Sequence, residues 1–436
     1  MAALEAIDEG GTGTVCKCLL IFPSRSRAAG QFLTRPPDQP VPVCVRLLEG
    51  KGMPDTSWAG RFPKNDIITL LDVNRRFNLA ESTAQDLRFA DVVALAGGMD
   101  VLGGLKLGYG SSAGLAPLRQ IVANQSGVEP DEVVTTNGTA LGLFLLAFEV
   151  CRPGDEVVIA TPCFPPSRDT LAGAGVKIIE HRLSFNDGYR LSADAIGSLL
   201  NQRTRLVSIA SPQNPSGVAT TLDEIAALLD VMRENAPNAL LFVDETYRGA
   251  THGSRSALQS AAALDRRVIT GASVSKAHGA PGLRCGWLTV RDAPLRARLI
   301  TAKMNLVLSG STLDETLSAG ILENREAVLG PRRTLLADGV AMVEAWVRSE
   351  RGRVEWVPPA AGALCCMRLN PDHFKDAQIA RFWSLLPDAQ LQLGDGAWFG
   401  ESSRVFRLGF GYLPLDELRM ALGRLTNVLS AVGSNV

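Results

Sequence analysis

Short apolar segments and amphipathic segments alternate through the middle of the chain. Seven runs rich in Val, Ile and Leu have the length of strands, at residues 132–136, 154–162, 175–183, 203–212, 238–246, 266–275 and 285–290. Apolar residues recur every three or four positions between several of these runs, which predicts helices at 115–127, 139–150 and 221–235. Apolar strands separated by helices are typical of a mainly parallel sheet that is covered on both faces. The pattern therefore predicts an α/β fold.

The last hundred residues have a different pattern. A long helical pattern at 331–350 is followed by three short strand patterns, and an amphipathic helix is predicted at 415–432. This order is typical of a smaller α+β domain. We assign residues 96–325 to a large domain, and residues 56–95 with 326–436 to the small domain. Residues 1–55 mix Gly, Ser, Arg and Pro without a sustained period, and we predict an irregular N-terminal extension.

Composition narrows the classes of function. The 436 residues carry 44 Lys and Arg against 45 Asp and Glu, so the net charge of -1 gives no general attraction to nucleic acid or an anionic membrane. No apolar run approaches the roughly 18 residues of a membrane helix. Acidic residues stand near the N-terminus, where a signal peptide needs positive charge, and we predict a cytoplasmic protein. The eight Cys and four His have no metal-ligand spacing, and we predict no metal site.

Polar residues follow several of the predicted strands. Gly138 opens a helix whose free amide groups suit an anion, and Asn214 lies in a turn after a buried strand. Asp244 ends an apolar strand, where a carboxylate needs a cationic partner. Lys276 follows another strand, and Arg284 comes eight residues later. Each residue alone also fits an ordinary role, as a turn, a helix cap, a structural carboxylate or a solvated lysine.

The order and spacing of these residues together resemble a known family. The chain has Asn-Pro-Ser-Gly at 214–217, Asp-Glu-Thr-Tyr at 244–247, and Ser-Val-Ser-Lys-Ala-His-Gly-Ala-Pro-Gly-Leu-Arg-Cys-Gly-Trp at 273–287. It resembles the class I/II aminotransferases, fold-type I enzymes that use pyridoxal 5′-phosphate (PLP), from about residue 75 to residue 430. The resemblance implies a seven-stranded, mainly parallel sheet, a smaller α+β domain, and a homodimer with active sites at the subunit interface.

The resemblance also implies roles for individual residues. Lys276 matches the lysine that holds PLP as a Schiff base, and Asp244 matches the partner of the ring nitrogen. Asn214 and Tyr247 match residues that bind the ring hydroxyl, and Arg407 matches the arginine that binds the substrate carboxylate. The other implied cofactor contacts are Gly138, Thr139, Ala140, Ser273, Ser275 and Arg284 around the phosphate, Phe164 stacked on the ring, and Tyr109 on the phosphate of the neighbouring subunit.

One segment departs from the family's pattern. Members often have a Gly near the N-terminal substrate loop, where this chain has Ala80, Glu81 and Ser82. Glu81 is either a contact for an amine or guanidinium on the substrate, or an ordinary loop or cap residue. This opening is similar to that of family members acting on arginine-like substrates, including capreomycidine-synthase-like enzymes. His278 stands where the family commonly has Tyr or Phe, and we interpret it as a packing residue.

Two reactions remain open at this point. The resemblance implies an aminotransferase that moves an amino group from an L-amino acid to a 2-oxo acid. The alternative is a PLP-dependent lyase, cyclase or oxidase acting on a basic amino acid. A PLP-binding regulator would need a DNA-binding module before the domain, but the first 75 residues are rich in Gly and Pro and lack a basic recognition helix. An inactive scaffold would be expected to lack Lys276 or Asp244, and both are present.

Overall fold

The computed structural model describes residues 5–6, 16–17, 60–73 and 75–433. The chain divides into two compact units, residues 1–60 and 61–436. In the first unit, β1 (Glu5–Ala6) pairs antiparallel with β2 (Cys16–Lys17). The rest of the irregular extension that we predict at 1–55 lies outside the described residues.

The second unit contains two main sheets. Its strands are β3 (Phe77–Asn78), β4 (Val133–Thr136), β5 (Glu156–Thr161), β6 (Lys177–Arg182), β7 (Thr204–Ala210), β8 (Leu240–Asp244), β9 (Val268–Ser273), β10 (Gly286–Val290), β11 (Val354–Val357), β12 (Leu364–Leu369), β13 (Leu391–Gln392), β14 (Gly394–Asp395) and β15 (Val405–Gly409). Its α-helices are α1 (Thr69–Asp72), α2 (Phe89–Leu95), α3 (Gly98–Gly103), α4 (Ala116–Ser126), α5 (Thr139–Val150), α6 (Pro165–Gly173), α7 (Ala193–Gly197), α8 (Leu222–Asn235), α9 (Ala293–Val307), α10 (Thr312–Glu323), α11 (Arg325–Ser349), α12 (Asp376–Leu385), α13 (Gly396–Phe399) and α14 (Leu415–Gly433).

The larger sheet has seven strands in the order β4-β10-β9-β8-β7-β5-β6. Strands β6, β5, β7, β8 and β9 run parallel, while β10 is antiparallel to both β9 and β4. All residues of β5, β9 and β10 are buried, as expected for strands covered on both faces. The predicted α/β fold with a mainly parallel seven-stranded sheet is therefore confirmed.

Several helices begin at residues that satisfy their free amide groups. Thr221 and Glu224 form a capping box at the start of α8, and Asp292 accepts from the amide of Leu295 at the start of α9. Helix α5 is different, because Gly138 precedes it and provides no side-chain cap. The first amide groups of α5 are thus left for another acceptor.

The smaller sheet is antiparallel, in the order β11-β12-β15-β14, and β13 pairs separately with β3. Helices α11, α12 and α14 cover it, with Phe382, Phe406 and Leu425 fully buried between them. Helix α11 begins at Arg325, six residues before the predicted start at Pro331, so Pro331 lies inside it. The boundaries that we assign to the two domains stay a prediction. No helix in the described part of the chain has the length and apolarity that a bilayer crossing requires.

Candidate functional site

A cavity of about 240 Å³ opens at the carboxyl ends of the parallel strands. This edge of an open α/β sheet is where ligands bind in such folds. Of the residues singled out by sequence, its walls include Gly138, Thr139, Ala140, Phe164, Asn214, Asp244, Tyr247, Ser273, Ser275, Lys276 and Arg284. Residues spread over nearly 150 positions are thus brought together at one place, because each follows a strand of the same sheet.

One end of the cavity is suited to an anion. Gly138 has φ +86°, a conformation that glycine adopts readily, and it precedes the uncapped amides of α5. A Cβ at position 138 would lie 2.5 Å from Nη2 of Arg284, so this guanidinium lies directly against the glycine. The buried Ser273 and Ser275 line the same cavity, and Ser273 Oγ accepts from the amide of Ser275 at 3.3 Å. Amides, hydroxyls and a guanidinium together form a site for a phosphate.

Asp244 presents a carboxylate to the cavity from the end of β8. Its Oδ1 accepts from the amide of Thr246 at 3.0 Å and from the Thr246 hydroxyl at 2.5 Å. Among the described residues none donates to Oδ2. Burial raises the pKa of Asp244, although the hydrogen bonds from Thr246 and the charge of Lys276 oppose that rise. A cation placed against Oδ2 would stabilise the ionised form.

A chain of polar contacts crosses the side of the site next to the small sheet. Asn214 Nδ2 donates to the hydroxyl of Tyr247 at 3.4 Å, and this hydroxyl donates to Ser82 Oγ at 3.0 Å. On its other side, Asn214 Oδ1 accepts from Nη1 of Arg407 at 2.9 Å. Arg407 Nη2 also donates to the Ala80 carbonyl at 2.5 Å. The contacts therefore connect strand ends of the large sheet with β15 and with the loop after β3.

Arg407 is a buried cation whose donors are only partly used. It is 2% exposed, and its guanidinium lies 4.7 Å from the centre of the Phe399 ring. Burial lowers its pKa, and Nε has no hydrogen-bond partner in the described part of the chain. A buried guanidinium with a free N–H next to the cavity is suited to bind a carboxylate.

The ammonium of Lys276 lies beside a carboxylate. Nζ is 3.5 Å from Glu81 Oε1, which also accepts from the amides of Ser82 at 2.7 Å and Thr83 at 3.2 Å. Burial opposes ionisation of Glu81, but the charges of Lys276 and Arg407 outweigh it and hold its pKa below the usual value. Glu81 is therefore an anion that faces the cavity's amine, rather than a carboxylate in solvent.

Tyr109 lies apart from this cavity. It is 88% exposed, in the loop between α3 and α4. This exposure leaves its hydroxyl available to another subunit, which is the role that the resemblance implies. His278, by contrast, is buried, and burial lowers its pKa to about 3.

Sequence reasoning missed two hydroxyl groups in the site. Thr246 binds Asp244, and its Oγ1 lies 3.3 Å from Oγ1 of Thr139. Ser82 accepts from Tyr247, although it stands in the segment around Glu81. Thr246 had a readable signal, because a residue two positions after Asp commonly donates to its carboxylate. Ser82 had none, because its partner is 165 residues away.

The residues present fit PLP. An uncapped helix start with Arg284 suits its phosphate, and the free Oδ2 of Asp244 suits a protonated ring nitrogen. Lys276 supplies the amine for a Schiff base. Asn214 and Tyr247 line the same cavity, with side chains able to bind the ring hydroxyl.

Comparisons with known proteins agree with this chemistry. A sequence model described as aminotransferase class I and II matches residues 84–425. Capreomycidine synthase of Streptomyces vinaceus is 30% identical over 73% of this chain and 80% of its own length. Valine–pyruvate aminotransferase of Mycobacterium tuberculosis is 32% identical over 73% of this chain and 83% of its own. In fold, a PLP-dependent aminotransferase from Streptococcus suis superposes with a TM-score of 0.76 at 21% identity, over 85% of this chain and 98% of that one.

The family match covers most of the second unit, including every strand of the large sheet. The relatives are matched over more than two thirds of their own length, and PLP is the coenzyme of this family. The chain therefore belongs to the class I and II aminotransferase family and is a PLP-dependent enzyme.

Proposed function

We propose that the enzyme transfers the amino group of an L-amino acid to a 2-oxo acid. The observation that carries this proposal is that the amine of Lys276 and the carboxylate of Asp244 face one cavity, while the buried guanidinium of Arg407 is bonded to Asn214 in its wall. Aminotransferases recur among the relatives, including the valine–pyruvate enzyme. These three groups match the needs of the reaction, which are a base, a counter-charge for the coenzyme and a clamp for a carboxylate.

Bound PLP supplies an electron sink that weakens the bonds to the substrate Cα. Arg407 binds the α-carboxylate and so fixes which bond at Cα is aligned for cleavage. Lys276, once its amine is free, would be the base that takes the proton from the substrate Cα. Asp244 would hold the ring nitrogen of PLP through its carboxylate, and Tyr247 with Asn214 would hold the ring hydroxyl. Tyr109 would complete the phosphate site of a second copy of the chain.

A screen of single amino acids tests the proposed reaction. PLP-loaded enzyme is mixed with each amino acid in turn, without an acceptor, and the visible absorption and the 2-oxo acid product are measured. A true donor should bleach the visible band and yield one oxo acid per site, and an added 2-oxo acid should restore the band. Release of ammonia or uptake of oxygen in place of this stoichiometry would argue against amino transfer.

A lyase, cyclase or oxidase acting on a basic amino acid is the second candidate. The specific observation in its favour is Glu81, which carries a negative charge 3.5 Å from the Lys276 amine. A relative named capreomycidine synthase, at 30% identity, supports a reaction other than amino transfer. In this reading, Glu81 pairs with the cationic side chain of the substrate once Lys276 has reacted with PLP.

The substitution Glu81→Gln tests whether Glu81 binds a cationic substrate side chain or is an ordinary loop residue. If Glu81 binds a cationic side chain, KM for arginine, lysine or ornithine should rise about 10- to 100-fold, because a charged hydrogen bond contributes about 1.5–3 kcal/mol. KM for neutral amino acids should stay within about twofold. Asp91→Asn, on the exposed face of α2 where Asp91 pairs with Arg88, is the matched control. Equal changes for basic and neutral amino acids would show that Glu81 does not select the side chain.

A further inference from the structure

A lysine with no part in the proposed chemistry is fully buried beneath the large sheet. Lys303, on α9, is 0% exposed. Burial lowers its pKa, while the charge of Glu315 opposes that effect. An unpaired ammonium is expensive to bury, so the partners of Lys303 decide whether this arrangement is stable.

The partners of Lys303 form a short relay. Its Nζ donates to the hydroxyl of Thr135 at 3.0 Å, and this hydroxyl donates to Glu315 Oε1 at 2.6 Å. A threonine hydroxyl can accept one hydrogen bond and donate another, so it links the cation to the anion. Thr135 and Glu315 are buried as well, at 0% and 4% exposure. The three residues come from α9, β4 and α10.

The relay fixes the loop that leads from Tyr109 into α4. The other oxygen of Glu315, Oε2, accepts from the amide of Leu115 at 2.6 Å. The backbone of Thr135 donates to the Ala113 carbonyl at 2.9 Å. Gly114 packs so closely that a Cβ there would lie 2.3 Å from the Thr135 side chain. The loop from residue 108 to 115 is therefore held directly on the relay.

Two further contacts connect this arrangement with the loop next to Tyr109 and with the phosphate end of the cavity. Thr312, at the start of α10, donates to the carbonyl of Gly108, next to Tyr109, at 3.1 Å. Thr136 follows Thr135 and donates to the carbonyl of Gly138 at 2.9 Å. The relay thus lies between the exposed loop that carries Tyr109 and the glycine that opens the phosphate site.

We propose that Lys303, Thr135 and Glu315 are positioning residues that hold the loop at 108–115 so that Tyr109 can bind the PLP phosphate of a second copy. The inference rests on the proposed role of Tyr109 at the subunit interface. It explains why Lys303 and Glu315 are buried although neither lines the cavity. It also predicts that damage to the relay weakens PLP binding through Tyr109.

A double-mutant cycle tests this inference through PLP affinity, measured by absorbance titration of the apoprotein and not by turnover. The variants are Y109F, E315Q, T135V, and the pairs E315Q/Y109F and T135V/Y109F. T135S keeps the hydroxyl and should behave like the wild type. E323Q removes an exposed carboxylate from the same helix α10 and is the matched control. T135V keeps both charged residues, so the cycle of T135V with Y109F can be measured even if E315Q does not fold.

The expected results concern the PLP dissociation constant and hydrogen exchange in the loop. Y109F, E315Q and T135V should each raise the PLP dissociation constant roughly tenfold, as for one hydrogen bond to a phosphate. The double variants should be within about twofold of the singles, because both changes remove the same contact. Hydrogen exchange at residues 108–115 should quicken in E315Q and T135V and stay unchanged in E323Q.

Three results would overturn the inference. They are unchanged PLP affinity in E315Q and T135V, unchanged affinity in Y109F, or effects that multiply to roughly a hundredfold in the double variants. Wild-type protein that binds PLP but transfers no amino group would refute the proposed reaction instead. The titration would still test the relay in that case, because it measures binding alone.

Discussion

Replacement of Arg407 by Met should separate substrate binding from coenzyme binding. Met keeps an unbranched apolar side chain and carries no charge. In the structure, Arg407 uses one N–H on Asn214 and one on the Ala80 carbonyl, while Nε has no partner among the described residues. Of the five guanidinium N–H groups, three are thus free for a carboxylate. Two such bonds, at about 1.5–3 kcal/mol each before offsetting terms, give a net loss of about 3 kcal/mol, or roughly a hundredfold in kcat/KM.

The same substitution should change the PLP dissociation constant by less than about threefold, because Asn214 keeps its contact with Tyr247. Steady-state kinetics with the best donor and absorbance titration with PLP measure the two quantities. Arg404→Met is the control, since Arg404 donates to the carbonyls of Leu369 and Phe374, away from the cavity. The control should lower Tm and leave KM unchanged. If PLP affinity and kcat/KM fell by the same factor in Arg407→Met, Arg407 would be a structural residue of the coenzyme pocket.

Three further predictions concern the coenzyme site. Lys276→Ala should abolish the visible absorption of PLP-loaded protein, and a retained band would show that another amine holds the coenzyme. Gly138→Ala should weaken PLP binding about tenfold, because the new Cβ displaces Arg284, whereas Gly154→Ala, with φ +92° and open space, carries only the backbone strain. Asp244→Asn should stabilise the apoprotein at a pH above the ordinary pKa of Asp. At a pH below that value it should not stabilise it. Burial raises the folded-state pKa of Asp244, so its ionisation destabilises the fold as pH rises. Urea unfolding of both apoproteins at pH 3.5 and pH 8 measures the difference, and equal stabilities at pH 8 would contradict it.

The sheet could be predicted from the sequence because each strand is a separate apolar run. Strands such as β5 and β9 are buried at every position, so their pattern does not depend on what packs against them. The start of α11 was predicted less accurately. The helical pattern is read from Pro331, and a proline is common in the first turn of a helix. The structure instead continues the helix back to Arg325, directly after α10.

The candidate site was predictable to the extent that its residues follow strands. Asn214, Asp244 and Lys276 each come within a few residues of a strand end, so the parallel sheet alone brings them together. Lys303 had no such signal. Its burial depends on Thr135 and Glu315, which lie 168 and 12 residues away, and no local pattern shows that the three converge. Sequence reasoning therefore finds groups at the ends of elements more readily than groups buried between them.

The position of Glu81 shows how a site residue can depend on a residue elsewhere in the chain. Asn78 Oδ1 accepts from the amides of Ala80 and Glu81, which turns the chain after β3. The turn lies against β15, where a Cβ on Gly409 would come within 1.8 Å of the Glu81 carbonyl. Only glycine at 409 permits this approach, and Arg407 two residues earlier binds the Ala80 carbonyl. The same strand therefore holds both the cation for a carboxylate and the loop that presents Glu81.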